Sequence, residues 1–173
     1  MAVSLYDLSV PTYLQTLGAV GGFLGKARAH FEEQGIDPEE IVEARLYPDM
    51  LPFRFQIVSV AHHSRGAIEG IRNGLFTPNK GAPDLSYADL QAMVAEAGDF
   101  LSALTPDAVN ALGSRDVIFQ SGERKVPFIG EGFLMSFSLP NFYFHATTAY
   151  DILRHKGVPL GKRDFIGQLR IKR

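Results

Sequence analysis

The stretch Leu139-Pro-Asn-Phe-Tyr-Phe-His145-Ala-Thr-Thr-Ala-Tyr-Asp-Ile-Leu-Arg-His155 decides how this chain is read. It reads as the body of a long helix that starts near Glu131 and ends near Lys156, ahead of Gly157 and Pro159. At 100° per residue, Asn141, His145, Thr148 and Ile152 fall on one stripe amid Phe142, Phe144 and Tyr150. Polar groups in such company are expensive to bury unless each has a partner. Pro140 adds a second irregularity. It lacks a backbone donor, so a helix running through it leaves the Ser136 carbonyl unpaired and kinks. A kink beside a polar stripe is a local inconsistency of the kind functional sites show. The bland alternative is that Asn141 and His145 only bond backbone freed by the kink.

Working outward, three more long helices are expected. The first covers residues 11–34, with Leu14, Leu17, Val20, Leu24, Ala27 and Phe31 at helical spacing, Pro11 in the first turn and Gly35 as the stop. The second covers residues 52–73 and stops at Gly74. The third covers 86–104, with Ser86 and Asp89 spaced as a capping box. Asp37-Pro38-Glu39-Glu40 and Thr105-Pro106-Asp107 read as shorter helix starts. Residues 115–129 read as two short strands turning at Ser121-Gly122. A hairpin is marginal alone, so it must pack on the helices. The expected architecture is all-α: an antiparallel four-helix bundle, one domain over residues 1–173, with a short β-hairpin inserted between helices three and four.

Composition fits that picture. The 173 residues are 46% hydrophobic and 21% charged, which argues against wholesale disorder. The absence of cysteine excludes disulfides, thiolate metal sites and a Cys nucleophile. No secretory signal and no membrane-length apolar run is visible, so a cytoplasmic location is the default expectation. The formal charge of −2 divides into +6 over residues 154–173 and −8 over the rest. That basic tail is interleaved with Phe165, Ile166, Leu169 and Ile171, so it reads as a docking segment, and nucleic-acid binding is not expected.

Glycines 18, 21, 22 and 25 lie within a helix, with no preceding strand and no dinucleotide spacing. Close approach of a neighbouring helix is the expected reason for them. In the second helix, His63 sits beside the apolar face set by Ile57, Val60, Ala67, Ile68 and Ile71, in line with Gln56, and is expected to point inward. His62 is expected to point to solvent or an interface. On spacing alone, an inward histidine is more often a hydrogen-bonded core residue than a ligand. No G-x-S-x-G is present, and Ser64 points about 100° from His63 along the helix, so a Ser-His nucleophile is not supported.

Three segments resemble a known group: Ser4-Leu-Tyr-Asp-Leu-Ser-Val-Pro11, Pro140-Asn-Phe-Tyr-Phe-His145 with Ala149-Tyr-Asp-Ile-Leu-Arg-His155, and Gly157-Val-Pro-Leu-Gly-Lys162-Arg-Asp-Phe165-Ile-Gly. Together they look like an uncharacterised bacterial branch of the DinB/YfiT-like superfamily of metalloenzymes. The resemblance implies a four-helix bundle, often a homodimer, and a divalent metal (Zn, Ni or Fe) held by one His of helix two and a His-x-x-x-His pair of helix four. It also implies that such a metal activates a low-molecular-weight thiol for transfer or isomerisation; a metal in this cleft, as a Lewis acid or by activating a bound thiol or water, would support transfer or hydrolysis. His63 stands for the helix-two ligand, with His62 as alternate, and His145 for the second helix-four ligand. Asn141 occupies the remaining position, and an amide oxygen is a weak ligand for zinc or nickel. The resulting expectation is an interior cleft lined by Gln56, His63, Asn141 and His145. It would bind a small molecule, with or without a metal, and no membrane. The alternative is a non-catalytic dimeric bundle whose metal site has eroded.

Overall fold

The computed structural model describes residues 3–172. The molecule is mostly helical, as expected, with one small mixed sheet of three strands in place of the expected two-stranded hairpin. Helix α1 (Leu5–Glu33) begins six residues before the expected start. Ser4 caps it, accepting from the Asp7 amide while Asp7 accepts from the Ser4 amide, and this box is strong enough to carry the helix through Pro11. A four-residue helix, α2 (Glu39–Val42), follows.

The second long helix is not uniform. Segment α3 (Phe53–Ala61) passes through a π-helical turn at His62–Gly66 into α4 (Ala67–Asn73), which ends at the left-handed Gly74. Strand β1 (Leu75–Phe76) comes directly after. Helix α5 (Tyr87–Ser102) carries the capping box of Ser86 and Asp89, and α6 (Pro106–Asn110) is capped by Thr105. Strands β2 (Asp116–Ser121) and β3 (Arg124–Ile129) pair antiparallel. They are not an isolated hairpin, because β1 lies parallel to β2 with Leu75 opposite Ile118 and Phe76 opposite Phe119. The chain re-enters helix at α7 (Gly130–Phe133), passes a second π-helical turn at Leu134–Ser138 and continues as α8 (Leu139–His155). A last short helix, α9 (Lys162–Ile166), docks on α1 through a Lys26–Asp164 ion pair and a hydrogen bond from Gln15 to the Ile166 carbonyl.

Contacts between long helices run α1 on α5, α5 on α3, α3 on α8 and α8 on α1, enclosing one core. Tyr13, Tyr87, Phe23, Phe31, Phe53, Phe133 and Phe142 are its largest fully buried members. Gly130 is fixed by crowding: a Cβ there would lie 2.1 Å from the Leu112 carbonyl oxygen. The glycines of α1 behave in the opposite way. Gly18, Gly21, Gly22 and Gly25 are exposed, and a Cβ on Gly18, Gly22 or Gly25 would meet nothing within 4 Å. Close helix packing therefore does not explain them within this chain. The tail divides: Phe165 packs against the core, while Leu169 and Ile171 stay exposed. No helix among the described residues is long and apolar enough to cross a membrane.

Candidate functional site

The two π-helical turns meet. Each inserts an extra residue per turn and disturbs the regular ladder of backbone bonds, and such turns gather at functional positions. Here the disturbance is repaired across the seam between α3 and α8. The Ser138 hydroxyl donates to the His63 carbonyl at 2.6 Å, and Tyr13 of α1 donates its own hydroxyl to Ser138 at 3.0 Å. Both Tyr13 and Ser138 are fully buried. The Leu139 amide closes the second turn on the Leu134 carbonyl, five residues back. With the helix already switched to that wider spacing, Pro140 falls near the start of α8. Asn141 donates its side-chain N–H to the Phe137 carbonyl at 2.7 Å, so part of this side chain does serve backbone near the proline.

His63 and His145 come together, with ring centroids 5.7 Å apart and planes 15° from parallel. The Nδ1 of His145 lies 2.8 Å from Gln56 Oε1, while Gln56 Nε2 donates to the Leu51 carbonyl at 2.8 Å. That second bond fixes the amide orientation. Oε1 can only accept, so His145 carries its proton on Nδ1 and leaves Nε2 as a lone pair. His63 Nδ1 has no partner, and among the described residues it is the only buried side-chain polar atom in that state. Burial in an aromatic setting lowers the His63 pKa to about 3 and that of His145 to about 4, with neighbouring imidazoles adding smaller effects in the same direction. Both rings are neutral at pH 7. Phenylalanines 55, 76, 137 and 144 surround the pair.

His62 faces solvent only in part. It is half-buried, its ring lies 4.3 Å from Phe76, and its Nε2–H donates to the Thr77 carbonyl at 2.8 Å. The loop after β1 folds back over α3 and covers it, helped by Asn79 donating to the buried Ser59 hydroxyl. Sequence spacing gave no sign of this, because Leu75 and Phe76 reverse the chain by joining a sheet whose other strands lie forty residues on. Thr148 is buried and bonds the Phe144 carbonyl, and Ser64 is turned back onto the Val60 and Ala61 carbonyls, away from any nucleophilic role.

The expected cleft is thus a compact seam rather than a large void. A cavity of about 910 Å³ lies elsewhere, between α1 and the tail, and one of about 480 Å³ adjoins the seam at Phe144, beside Pro140 and Tyr143. A divalent metal at the seam would draw on His63, His145 and the Asn141 oxygen. The Gln56 bond to His145 is the support metal-bound imidazoles commonly have. The donor set, however, holds no carboxylate and no third imidazole: among the described residues no three His, Asp or Glu side chains are grouped to hold a metal. Two neutral rings and an amide do not make a closed zinc-type site. The residues do not fit a tightly held divalent ion.

Comparison with known proteins places the fold. A family described as a domain of unknown function, DUF1993, matches residues 5–166. Among solved structures, the chain is similar to a DinB family member protein from Shewanella denitrificans, at 24% sequence identity and a TM-score of 0.80, covering 98% of this chain and 95% of that one. No curated protein matches.

Proposed function

This chain belongs to the DUF1993 family, and from that footing we propose that it is a DinB-like binding protein for a small molecule. In this reading the scaffold is a four-helix bundle of α1, α3 with α4, α5 and α8. The ligand sits at the seam of the two π-helical turns and is held by hydrogen bonds. One observation carries it: His63 Nδ1 is buried without a partner directly beside the neutral His145. A stranded polar atom costs about 1–3 kcal/mol, and a ligand supplies the partner the fold omits. Aromatic walls on several sides favour a ligand with an apolar body.

The test is a titration of protein labelled with ¹⁵N in its histidines, against a small-fragment library and separately against Zn²⁺ and Ni²⁺. The reading expects fragments to shift both His63 and His145 resonances, with both responses lost in His145→Ala. Stoichiometric, tight zinc or nickel would instead restore the metal-dependent transferase or hydrolase expected from the resemblance. Protein that responds to neither, and loses only stability on His145→Ala, would be the non-catalytic bundle. That last reading draws its support from the missing third imidazole.

A further inference from the structure

Asn141 and His145 each own one type of donor and one acceptor, and the fold has already spent a donor of each. An Asn141 side-chain N–H goes to the Phe137 carbonyl, and the His145 Nδ1–H goes to Gln56, whose amide is locked by Leu51. What remains on this stripe of α8, one turn apart, is a pair of acceptors: Asn141 Oδ1 and His145 Nε2. Among the described residues neither has a hydrogen-bond partner, and neither is among the buried unpartnered atoms, so both reach the outside. No free cation stands nearby on α3, since the Arg54 guanidinium gives two hydrogen bonds to Glu43. The rings of Phe144 and Phe55 lie 5.3 and 5.9 Å from that of His145, and Phe144 is 59% exposed.

We propose that this face recognises an organic ammonium group, whose N–H bonds point to His145 Nε2 and Asn141 Oδ1 and whose charge rests against the phenylalanine faces. Gln56 is then a positioning residue that sets the selectivity. By holding the proton of His145 on Nδ1, it keeps Nε2 an acceptor. An ammonium offers three donors and no acceptor, which matches this pair. Aromatic faces attract it further. A carboxylate or phosphate meets two lone pairs and is repelled, and an alcohol satisfies one acceptor only. The inference rests on the reading of the seam as a small-molecule site.

The probes are benzylammonium, benzyl alcohol and benzoate, which share a ring and differ in the head group, titrated at pH 7 while the His145 ¹⁵Nε2 resonance is followed. Benzylammonium is expected to shift it with a Kd at least about ten-fold below that of benzyl alcohol, and benzoate to leave it unmoved. Gln56→Met should lose the single tautomer of His145 and weaken benzylammonium about ten-fold. If that buried substitution fails to fold, Asn141→Ala on a half-buried residue removes the second acceptor instead, and it should weaken benzylammonium about ten-fold while the His145 tautomer stays single. Benzoate binding as tightly as benzylammonium overturns the ligand class and leaves the site reading standing. Zn²⁺ binding with no response to benzylammonium does the same. If none of the three probes moves His145 while other fragments do, the inference falls and the site reading stands; if no fragment and no metal moves His145 or His63, both fall.

Discussion

The α3–α8 seam and the outer face of α1 treat local irregularity in opposite ways. At the seam, two π-helical turns and a proline disturb the backbone, and side chains of α1 and of the helix that continues into α8 repair it: Tyr13 to Ser138, Ser138 to the His63 carbonyl, Asn141 to the Phe137 carbonyl. On α1, four glycines weaken a helix by up to about 1 kcal/mol each, yet three of them have nothing near enough to touch. An irregular helix is thus no guide by itself to where a protein is built tightly. The accounting of partners is. At the seam that accounting closes for every buried side-chain polar atom except His63 Nδ1, and that exception marks the candidate site.

The largest effect that would sharpen this contrast is Gly130→Ala, at the entry to the segment leading into the second π-helical turn. Its new methyl would meet the Leu112 carbonyl at 2.1 Å, and denaturant unfolding should record a loss of about 3 kcal/mol or more. Next is Ser138→Ala, which strands the Tyr13 hydroxyl and the His63 carbonyl together. It should cost about 2–3 kcal/mol by the same measurement. A loss below about 0.5 kcal/mol would mean the relay does not hold the turns.

Acid should reach the seam and spare the glycine face. His63 and His145 have folded pKa values near 3 and 4, below the ordinary 6.5, so between those values the unfolded chain binds protons that the folded chain refuses. Stability is then full above pH 6.5 and falls as pH drops toward 4. The slope is up to about 1.4 kcal/mol per pH unit for buried His63, and less for His145, where water screens the charge. A pH series of unfolding curves on the protein and on His63→Phe checks this, and the variant should lose most of the slope. The smallest effect belongs to α1. Gly22→Ala should stabilise by about 0.5–1 kcal/mol, because the methyl enters open space and the unfolded chain loses freedom. A destabilised or dissociated Gly22→Ala protein would break the comparison by showing that another surface closes on this face.

Local chemistry was legible in the sequence and long-range closure was not. Ser86 with Asp89, Thr105 before Pro106, and Gly74 after Asn73 are read within four residues, and the helices begin or end there. Pro11 misled because a capping box upstream at Ser4 and Asp7 outweighed it. The π-helical turns carry no spacing of their own, and only Pro140 hinted at one of them. Tyr13 and Ser138 meet across 125 residues, and the two residues of β1 acquire strand character only by lying beside β2. The partial covering of His62 follows from that same pairing. The inward placement of His63 and its meeting with His145 could be drawn from helical geometry and the resemblance together. The role of Gln56 could not, since it depends on which way one amide faces.

The most direct test of the account is the ¹⁵N imidazole spectrum of His145 at pH 7, followed down to pH 4. It should show one neutral tautomer, protonated at Nδ1 and bare at Nε2, holding until the pH approaches about 4. A His145 that is protonated at Nε2, averaged between tautomers, or already an imidazolium at pH 7 would contradict it.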